Sequence, residues 1–556
     1  MKKGIPIILL VLVGAGFWLL VKGGPGERED LSTPSRSPLS DASGGYRKAP
    51  DATSLISNLY GGRVEAEAAE AFVDGATPAP AGDGIMIPDE YVFRFHTRGD
   101  QEAFMKIARE LGFIVLGRMS FGNALRVRVP SADDLRQLLE QGPAPKDYDH
   151  NYFVRAPDPE RAPQRSAEQG YAGLGDSLLA WLGPNVDNSE WGRGVTIAVL
   201  DTAVSPHPGI PENRIRRIHR SGMSTEGARG DHGTVVSSLI VGDPAYAAGI
   251  APAAKVLSIP IMSGAGTGDT FTLAQGILDA VSMSADIINM SLGTYGNSAL
   301  LRDAIRHALL NQVAVVAATG NDAQNHVSYP ARYAGVIGVG AVDANGRPVY
   351  FSNQGSQVDL AAPGYGVQAA GRDGAILQAT GTSISTPLVS GALAAVMSQS
   401  SGLRPLEAAQ LLLDFSDDRG IPGRDAAVGR GVISVARVLH REDSGIYDMT
   451  AAPAYVVAGS SDDDLPTVYL YAQNRGTEPL RTVTLSIDVG GSQEVFTYDD
   501  VAVGNTVSHA IKLTSNLVSV AGAIDFKHVV KILGATDTFP GNNSRQSIMT
   551  FKGPSP

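Results

Sequence analysis

The sequence predicts an α/β chain: a doubly wound, mostly parallel sheet, with a ferredoxin-like α+β unit ahead of it and an all-β sandwich behind. Three observations predict this. Residues 171–442 alternate short apolar runs with longer helical patterns, as a parallel sheet covered on both faces requires. Residues 85–155 give the order βαββαβ. After Glu442 the helical patterns stop, and alternating runs separated by turn signals take over. At 556 residues the chain is too long for one domain, and its 43% hydrophobic content is ordinary for folded cores.

In chain order, Lys2 and Lys3 precede an apolar run from Ile5 to Val21. Residues 1–22 are therefore read as a signal peptide or an N-terminal membrane anchor, the anchor slightly favoured because no small-residue cleavage site follows. Basic residues ahead of the run would leave the rest of the chain outside. Residues 23–84 are rich in Gly, Ser, Pro, Ala and Asp and read as a flexible linker, with Glu65–Phe72 as a short helix within it.

In residues 85–155, Tyr91–Phe95 alternates as a strand, and Asp100 is placed to cap a helix over Gln101–Leu111. Phe113–Leu116 and Ala124–Val129 form a strand pair, Ser131 caps a helix over Ala132–Gln141, and Tyr152–Val154 supplies the last strand. Residues 156–170 are rich in Pro, Arg and Gln and read as an exposed linker. In 171–442 the expected strands are Val195–Leu200, Lys255–Pro260, Ile287–Met290, Val313–Ala318 and Val336–Val342. The expected helices are Thr234–Val241, Thr272–Ser284, Ser298–Asn311, Ser385–Ser400 and Pro405–Phe415. In 443–556, Thr467–Ala472, Thr482–Ile487 and His528–Ile532 read as sandwich strands.

Three short stretches carry chemistry. Ser383 follows Gly381 and Thr382 and precedes a helix in which Pro387 falls about one turn in, where a missing N–H is tolerated. A helix N-terminus presents unpaired N–H groups, and its dipole favours an oxyanion. A serine so placed can attack a carbonyl if a base is near. Asp201 ends the Val195–Leu200 run, and His232 opens the apolar helix pattern that follows it. Asp, His and Ser in that chain order, each at an element end, match one of the convergent triad arrangements. Taken singly, Asp201 also reads as a turn residue, and His232 and Ser383 as helix caps.

With these residues the chain resembles the subtilisin family of serine endopeptidases. VLDT at Asp201, HGTVVS at His232 and GTSISTP at Ser383 are similar to that family's three signatures. INMSLG at Ile288–Gly293, AATGND at Ala317–Asp322 and YPARYAGVIGVGAVD at Tyr329–Asp343 are similar to further family stretches, so the likeness runs from about Trp191 to Ala409. The resemblance implies a subtilisin-like fold and peptide-bond hydrolysis through an acyl-enzyme. Ser383 would be the nucleophile, His232 the base and then the acid, and Asp201 the residue that orients the imidazole. It implies an oxyanion hole made by Asn321 and the backbone N–H of Ser383. Gly264, Ala265 and Gly266, with Ser291, Leu292 and Gly293, would hold the substrate as an added strand, and Ser328 would floor the primary specificity pocket.

The resemblance further implies that residues 85–155 are a propeptide that assists folding and inhibits by laying its C-terminal tail in the cleft. The chain would then be a self-processing zymogen, cut in 156–170 or just after Val154. Residues 443–556 loosely resemble the adhesion-type sandwiches of exported bacterial proteins. There are departures from the family pattern. Ala203 stands where Gly is usual, and Ile384 and Ser385 replace the commoner Met and Ala. Ser205–Asn213 offers no clear counterpart of the family's strong calcium site. No cofactor is therefore required, metal ligands stay unassigned, and calcium stays open, with the backbone carbonyls near Ala331 and Tyr333 as a place for a weakly held cation.

Expected partners are a protein or peptide substrate, the chain's own propeptide and, with an uncleaved anchor, a membrane. The expected location is secreted or at the cell envelope, and the oligomeric state is unread. A net charge of −12 with no basic run excludes nucleic-acid binding, and the absence of cysteine excludes disulfides, thiol catalysis and Cys-ligated zinc. Two other functions compete. One is a catalytically inactive envelope scaffold whose β domain binds a partner, against which the intact triad and Asn321 stand. The other is a sedolisin-type acid peptidase, a family with Glu for the base and Asp for the oxyanion residue; His232 and Asn321 point away from it.

Overall fold

In the computed structural model of the chain, the described residues are 10–13, 84–156, 171–183, 186–220, 223, 231–457, 466–513 and 523–550. Most of the first apolar run, the short helix expected at Glu65–Phe72 and the linker 157–170 lie outside them. Four residues of that run, Leu10–Val13, are a strand paired antiparallel with Ser547–Thr550. No helix among the described residues is long and apolar enough to cross a membrane.

The central sheet has seven strands in the spatial order Leu360–Pro363, Val336–Val342, Ala314–Ala318, Ile287–Met290, Thr196–Asp201, Lys255–Pro260 and Ile215–Arg217. Every neighbouring pair is parallel. The inner strands are Val-, Ile- and Ala-rich because both faces are covered, and all residues of Ile287–Met290, Ala314–Ala318 and Val336–Val342 are buried. Burial of each Val, Ile or Leu side chain there is worth about 1.5–3 kcal/mol. The two outer strands escape a sequence reading. Ile215–Arg217 is three residues long with two arginines, and Leu360–Pro363 ends in proline.

The helix Thr382–Gln399 lies across the middle of this sheet and against the helix His232–Val241. Its small residues permit the close approach: a Cβ added to Gly391 would come 2.9 Å from Ile250 Cβ. This packing sets the first turns of both helices at the C-terminal end of the sheet, where ligand sites of open α/β sheets form.

The N-terminal unit has the order Met86–Arg94, helix Arg98–Glu110, Ile114–Met119, Ala124–Arg128, helix Ala132–Gln141 and Asp147–Arg155. All pairings in its sheet are antiparallel, with Met86–Arg94 between Ala124–Arg128 and Asp147–Arg155. Phe93, Phe95, Phe104, Leu125, Val127 and Leu138 form its own core. The first helix is capped by Thr97 rather than Asp100: the Thr97 hydroxyl accepts from Asp100 N–H at 3.1 Å, so the chain turns helical three residues earlier than the apolar periodicity suggests. Ser131 caps the second helix through Asp134 N–H as expected.

The C-terminal part is a sandwich. One sheet orders Leu10–Val13, Ser544–Thr550, Ala523–Leu533, Leu480–Val489 and Ser492–Val501. The other is built on Thr467–Asn474, paired with Met449–Ala451, Tyr455–Val457 and Thr506–Lys512. Val468 and Leu470 from one sheet meet Leu485, Ile487 and Phe526 from the other, as inward-facing alternate residues should.

Candidate active site

Asp201 is the last residue of its strand and is fully buried. Its carboxylate meets His232 Nδ1 with both oxygens, at 2.8 and 2.9 Å, and accepts from Thr202 N–H at 2.7 Å. His232 is the first residue of its helix. The helix start is pressed onto the strand end: Gly233 N–H donates to Thr202 Oγ1 at 2.8 Å, and a Cβ on Gly233 would come 2.2 Å from the Thr202 carbonyl oxygen. Glycine after the histidine is therefore a steric requirement of the Asp201–His232 contact. Ala203, the departure noted from the sequence, is only partly buried and has no positive φ, so its methyl is accommodated.

Ser383 is the second residue of its helix and is buried. Its own carbonyl would be the acceptor for residue 387, but Pro387 has no N–H. The Ser291 hydroxyl takes that carbonyl instead, at 2.8 Å. Ser291 in turn accepts from Asn289 Nδ2 at 3.1 Å, and Asn289 Oδ1 accepts from Ser390 at 2.8 Å. A chain of buried polar groups thus runs from one sheet strand to the helix that carries Ser383 and back.

Asn321 is oriented by Thr382. Its Oδ1 accepts from Thr382 N–H at 2.9 Å and from Thr382 Oγ1 at 2.8 Å. A backbone N–H can only donate, so the amide oxygen must face Thr382 and Nδ2 must face the other way. Nδ2 is buried with no hydrogen-bond partner among the described residues. A Cβ built on Gly381, whose φ is +146°, would lie 2.8 Å from Asn321 Nδ2 and 3.1 Å from Ser383 Oγ. Gly381 thus keeps open a pocket between a donor in want of an acceptor and the serine oxygen. Asn353 holds the loop that carries Asn321, accepting from Asp322 and Gln324 N–H and donating to Thr319 O and Tyr295 Oη. Burial and the Asp322 carboxylate raise the Tyr295 phenol above its ordinary range, so it stays a donor.

The residues expected to hold an extended ligand are distributed unevenly. Gly293 exchanges both backbone bonds with Arg155: Arg155 N–H donates to Gly293 O at 3.0 Å and Gly293 N–H to Arg155 O at 2.9 Å. Gly266 O accepts from Ala156 N–H at 3.3 Å. Gly264 and Ala265 sit in the turn closed by Ser263 and Gly266, and the pairing strand proper is Thr267–Asp269. Ser291 is turned toward Ser383 and Leu292 is buried in the core. Ser328 is buried against Gly293, whose added Cβ would stand 2.5 Å from Ser328 Oγ, and its hydroxyl donates to Thr319 O at 3.1 Å. The small residue there does line the space between the two glycines, 293 and 320.

The strand laid on these residues is the chain's own. Phe153, Val154 and Arg155 pair with Asp269, Gly268 and Thr267, and Val154 is fully buried in the main core. The contact is reinforced by charge. Arg126 bonds both Glu90 and Asp269, and Asn151 spans Glu90, Asp269, Thr270 and Phe271 at the start of the helix Thr270–Ser282. Arg94 pairs with Asp147 in its own unit and with Asp303 across the contact. Among the described residues no three His, Asp or Glu side chains cluster in a way that could hold a metal ion.

Comparison with known proteins bears on the same segments. The model of the family described as the subtilase family matches residues 192–431. Subtilisin Savinase of Lederbergia lenta is 37% identical over 207 residues, covering 37% of this chain and 77% of the relative. An alkaline protease of Shouchella clausii is 37% identical over 207 residues, and the chain spans 54% of that relative's length. The solved structure of the patellamide maturation protease PatA is 31% identical, with 45% of this chain and 97% of that one covered, at a TM-score of 0.41.

Proposed function

Because this chain belongs to the subtilase family and is a serine protease, we propose that it is an endopeptidase whose triad is Asp201, His232 and Ser383, made as a zymogen that cuts itself. Ser383 Oγ adds to the scissile carbonyl while the imidazole of His232 takes its proton. The ester forms as that proton passes to the leaving amine. Water then repeats the sequence and releases the acid. Asp201, bonded through both oxygens to Nδ1, fixes which nitrogen of His232 serves as base and steadies the imidazolium. Asn321 Nδ2 and the N–H of Ser383 receive the oxyanion, the one partner that the amide is built to meet.

The observation that carries the reading is the reciprocal backbone pairing of Arg155 with Gly293, continued by Val154 on Gly268. An extended segment held by backbone bonds on both sides, with one side chain buried, is how a protease holds a peptide irrespective of most of its sequence. Residues 85–155 thereby occupy the cleft as inhibitor, and the cut falls in 156–170. The Lys2–Lys3 start and the apolar run after it support action outside the cytoplasm, secreted or at the envelope. The test is to purify the full chain beside its Ser383→Ala variant. Wild type should yield two pieces with a new N-terminus inside 156–170, and the variant should stay whole. A Ser383→Ala protein that processes itself, or that hydrolyses casein at the wild-type rate, overturns the assignment.

A further inference from the structure

None of the triad residues lines a cavity of about 350 Å³ between the catalytic sheet and the C-terminal sandwich. Three arginines face it: Arg419 from the end of the catalytic domain, and Arg475 and Arg545 from the sandwich. Among the described residues Asp417 is the only carboxylate in its wall. Arg475 Nη2 pairs with Asp417 at 3.0 Å, but its Nε is buried with no hydrogen-bond partner among the described residues. Arg545 spends Nε on the Ala451 carbonyl at 3.1 Å. Arg419 makes no ion pair among the described residues, and its Nη1 is likewise buried without a partner. Arg419 is not a loosely placed side chain. It lies over the turn at Gly346, where an added Cβ would come 3.1 Å from its Nε.

The charges do not balance inside the protein. Among the lining residues three guanidiniums stand against one carboxylate, which is also shared with Arg437 at 3.6 Å; Asp418 and Asp448, behind the wall, act on Arg419 and Arg475. Asp448 offsets Arg437 behind the wall. Asp418 does not line the cavity; its Oδ2 accepts from Thr506 Oγ1 and Gly423 N–H, and its charge acts on Arg419 from behind. Burial, with Arg419 and Arg437 as neighbours, holds the Arg475 guanidinium down to about 10, and burial with Arg419 lowers Arg545 as well. Buried guanidiniums left with N–H groups unpaired are costly, and the fork of an arginine fits an oxyanion best.

We propose that this cavity is an oxyanion site that takes a doubly charged tetrahedral anion, phosphate or sulfate, and that the bound anion ties the sandwich to the catalytic domain. Three guanidiniums facing the cavity against one lining carboxylate, and two buried N–H groups without acceptors among the described residues, call for a tetrahedral oxyanion. The site is independent of the peptidase reading, and its test leaves catalysis out.

The experiment uses the full chain carrying Ser383→Ala, so that no self-digestion intervenes. Thermal unfolding and titration calorimetry are run with inorganic phosphate, and separately with sulfate, against chloride at matched ionic strength. Phosphate should raise the melting temperature in a saturating manner at millimolar concentration, and calorimetry should report one site. Adding Arg419→Ala should weaken that binding at least tenfold while leaving the melting temperature in chloride unchanged or higher, since a repelling charge has gone. Arg475→Ala should weaken it likewise; should that variant not fold, Arg419→Ala decides alone. An equal phosphate effect in Arg419→Ala means general salt stabilisation and overturns the site, as does the absence of any saturable binding.

Discussion

The hydroxyl of Ser291 donates to the carbonyl of Ser383 at 2.8 Å, and Pro387 is the reason that carbonyl is open to it. Ser291→Ala leaves a buried acceptor unpaired, at a cost of about 1–3 kcal/mol. On the triad reading the expected outcome is a lower melting temperature and a kcat reduced about tenfold or more with KM little changed, because the first turn of the Ser383 helix loses its tie to the sheet. Steady-state kinetics on the processed enzyme checks this; a kcat within twofold of wild type would show that the turn is held by packing alone.

Asn321→Leu keeps the volume of the side chain and removes its free donor. On the triad reading kcat should fall by about 10²–10³, the scale of a lost oxyanion donor in subtilisin and so carried over from a relative. Binding of a substrate-like peptide to the Ser383→Ala protein should be nearly unchanged, which separates loss of transition-state contact from misfolding.

Gly233→Ala places a methyl 2.2 Å from the Thr202 carbonyl oxygen, so the helix start must move off the strand end. Overpacking of this kind costs about 1–3 kcal/mol. The variant should unfold at lower denaturant and lose activity out of proportion to its stability, because the displaced group is His232 itself. Activity measured well below the melting temperature distinguishes the two effects.

Arg94 joins the N-terminal unit to Asp303 of the catalytic domain. If residues 85–155 are the inhibitor, Arg94→Ala added in trans should inhibit the mature enzyme about 10-fold less tightly, on the order of 1.4 kcal/mol for a pair whose arginine is buried and whose carboxylate is partly exposed. Asp303→Ala on the enzyme should lose the same amount, and the two together little more. Full additivity would mean that the pair is decorative.

Burial pushes the Asp418 carboxyl up to about 6, above its ordinary 3.8. A raised folded value means the native state holds its proton more tightly than the unfolded chain. The favourable contribution is thus complete below about pH 3.8 and is lost as pH climbs through about 6. Two units correspond to roughly 3 kcal/mol at most. In urea unfolding of the Ser383→Ala protein, Asp418→Asn should therefore stabilise more at pH 8 than at pH 4.5; an equal effect at both would remove the carboxyl from the pH dependence.

The geometry of the candidate site was legible where its residues are local in sequence. Asp201, His232 and Ser383 each sit inside a short motif at an element end, and Asn321 follows its Thr-Gly, so adjacent residues announce them. Asn289, Asn353 and Ser390 were not legible. Their partners lie 101 residues off for the Ser390–Asn289 bond and 58 for the Asn353–Tyr295 bond. The one signal was a polar residue interrupting the apolar strand Ile287–Met290. Of the residues expected to hold an extended ligand there, Gly266 accepts from Ala156 N–H, while the ladder with Phe153–Arg155 falls on Thr267–Asp269, just after the glycines that mark the turn. The outer strand Ile215–Arg217 and the sandwich's Ser492–Val501 carry too many polar side chains to show a period of two, and the other outer strand, Leu360–Pro363, is four residues long and ends in proline.

Thr267–Asp269 is a strand of the catalytic domain whose one edge meets Met262 and Ser263 and whose other edge pairs with Asp147–Arg155. On the zymogen reading the N-terminal unit departs, and that outer edge would then be bare, with backbone groups facing water and ready for any passing polypeptide. Liberation and appetite thus begin at the same moment. The first morsel within reach is a frayed region of a sister molecule, so newly freed enzyme should vanish faster the more concentrated it is, and a captive peptide should spare it.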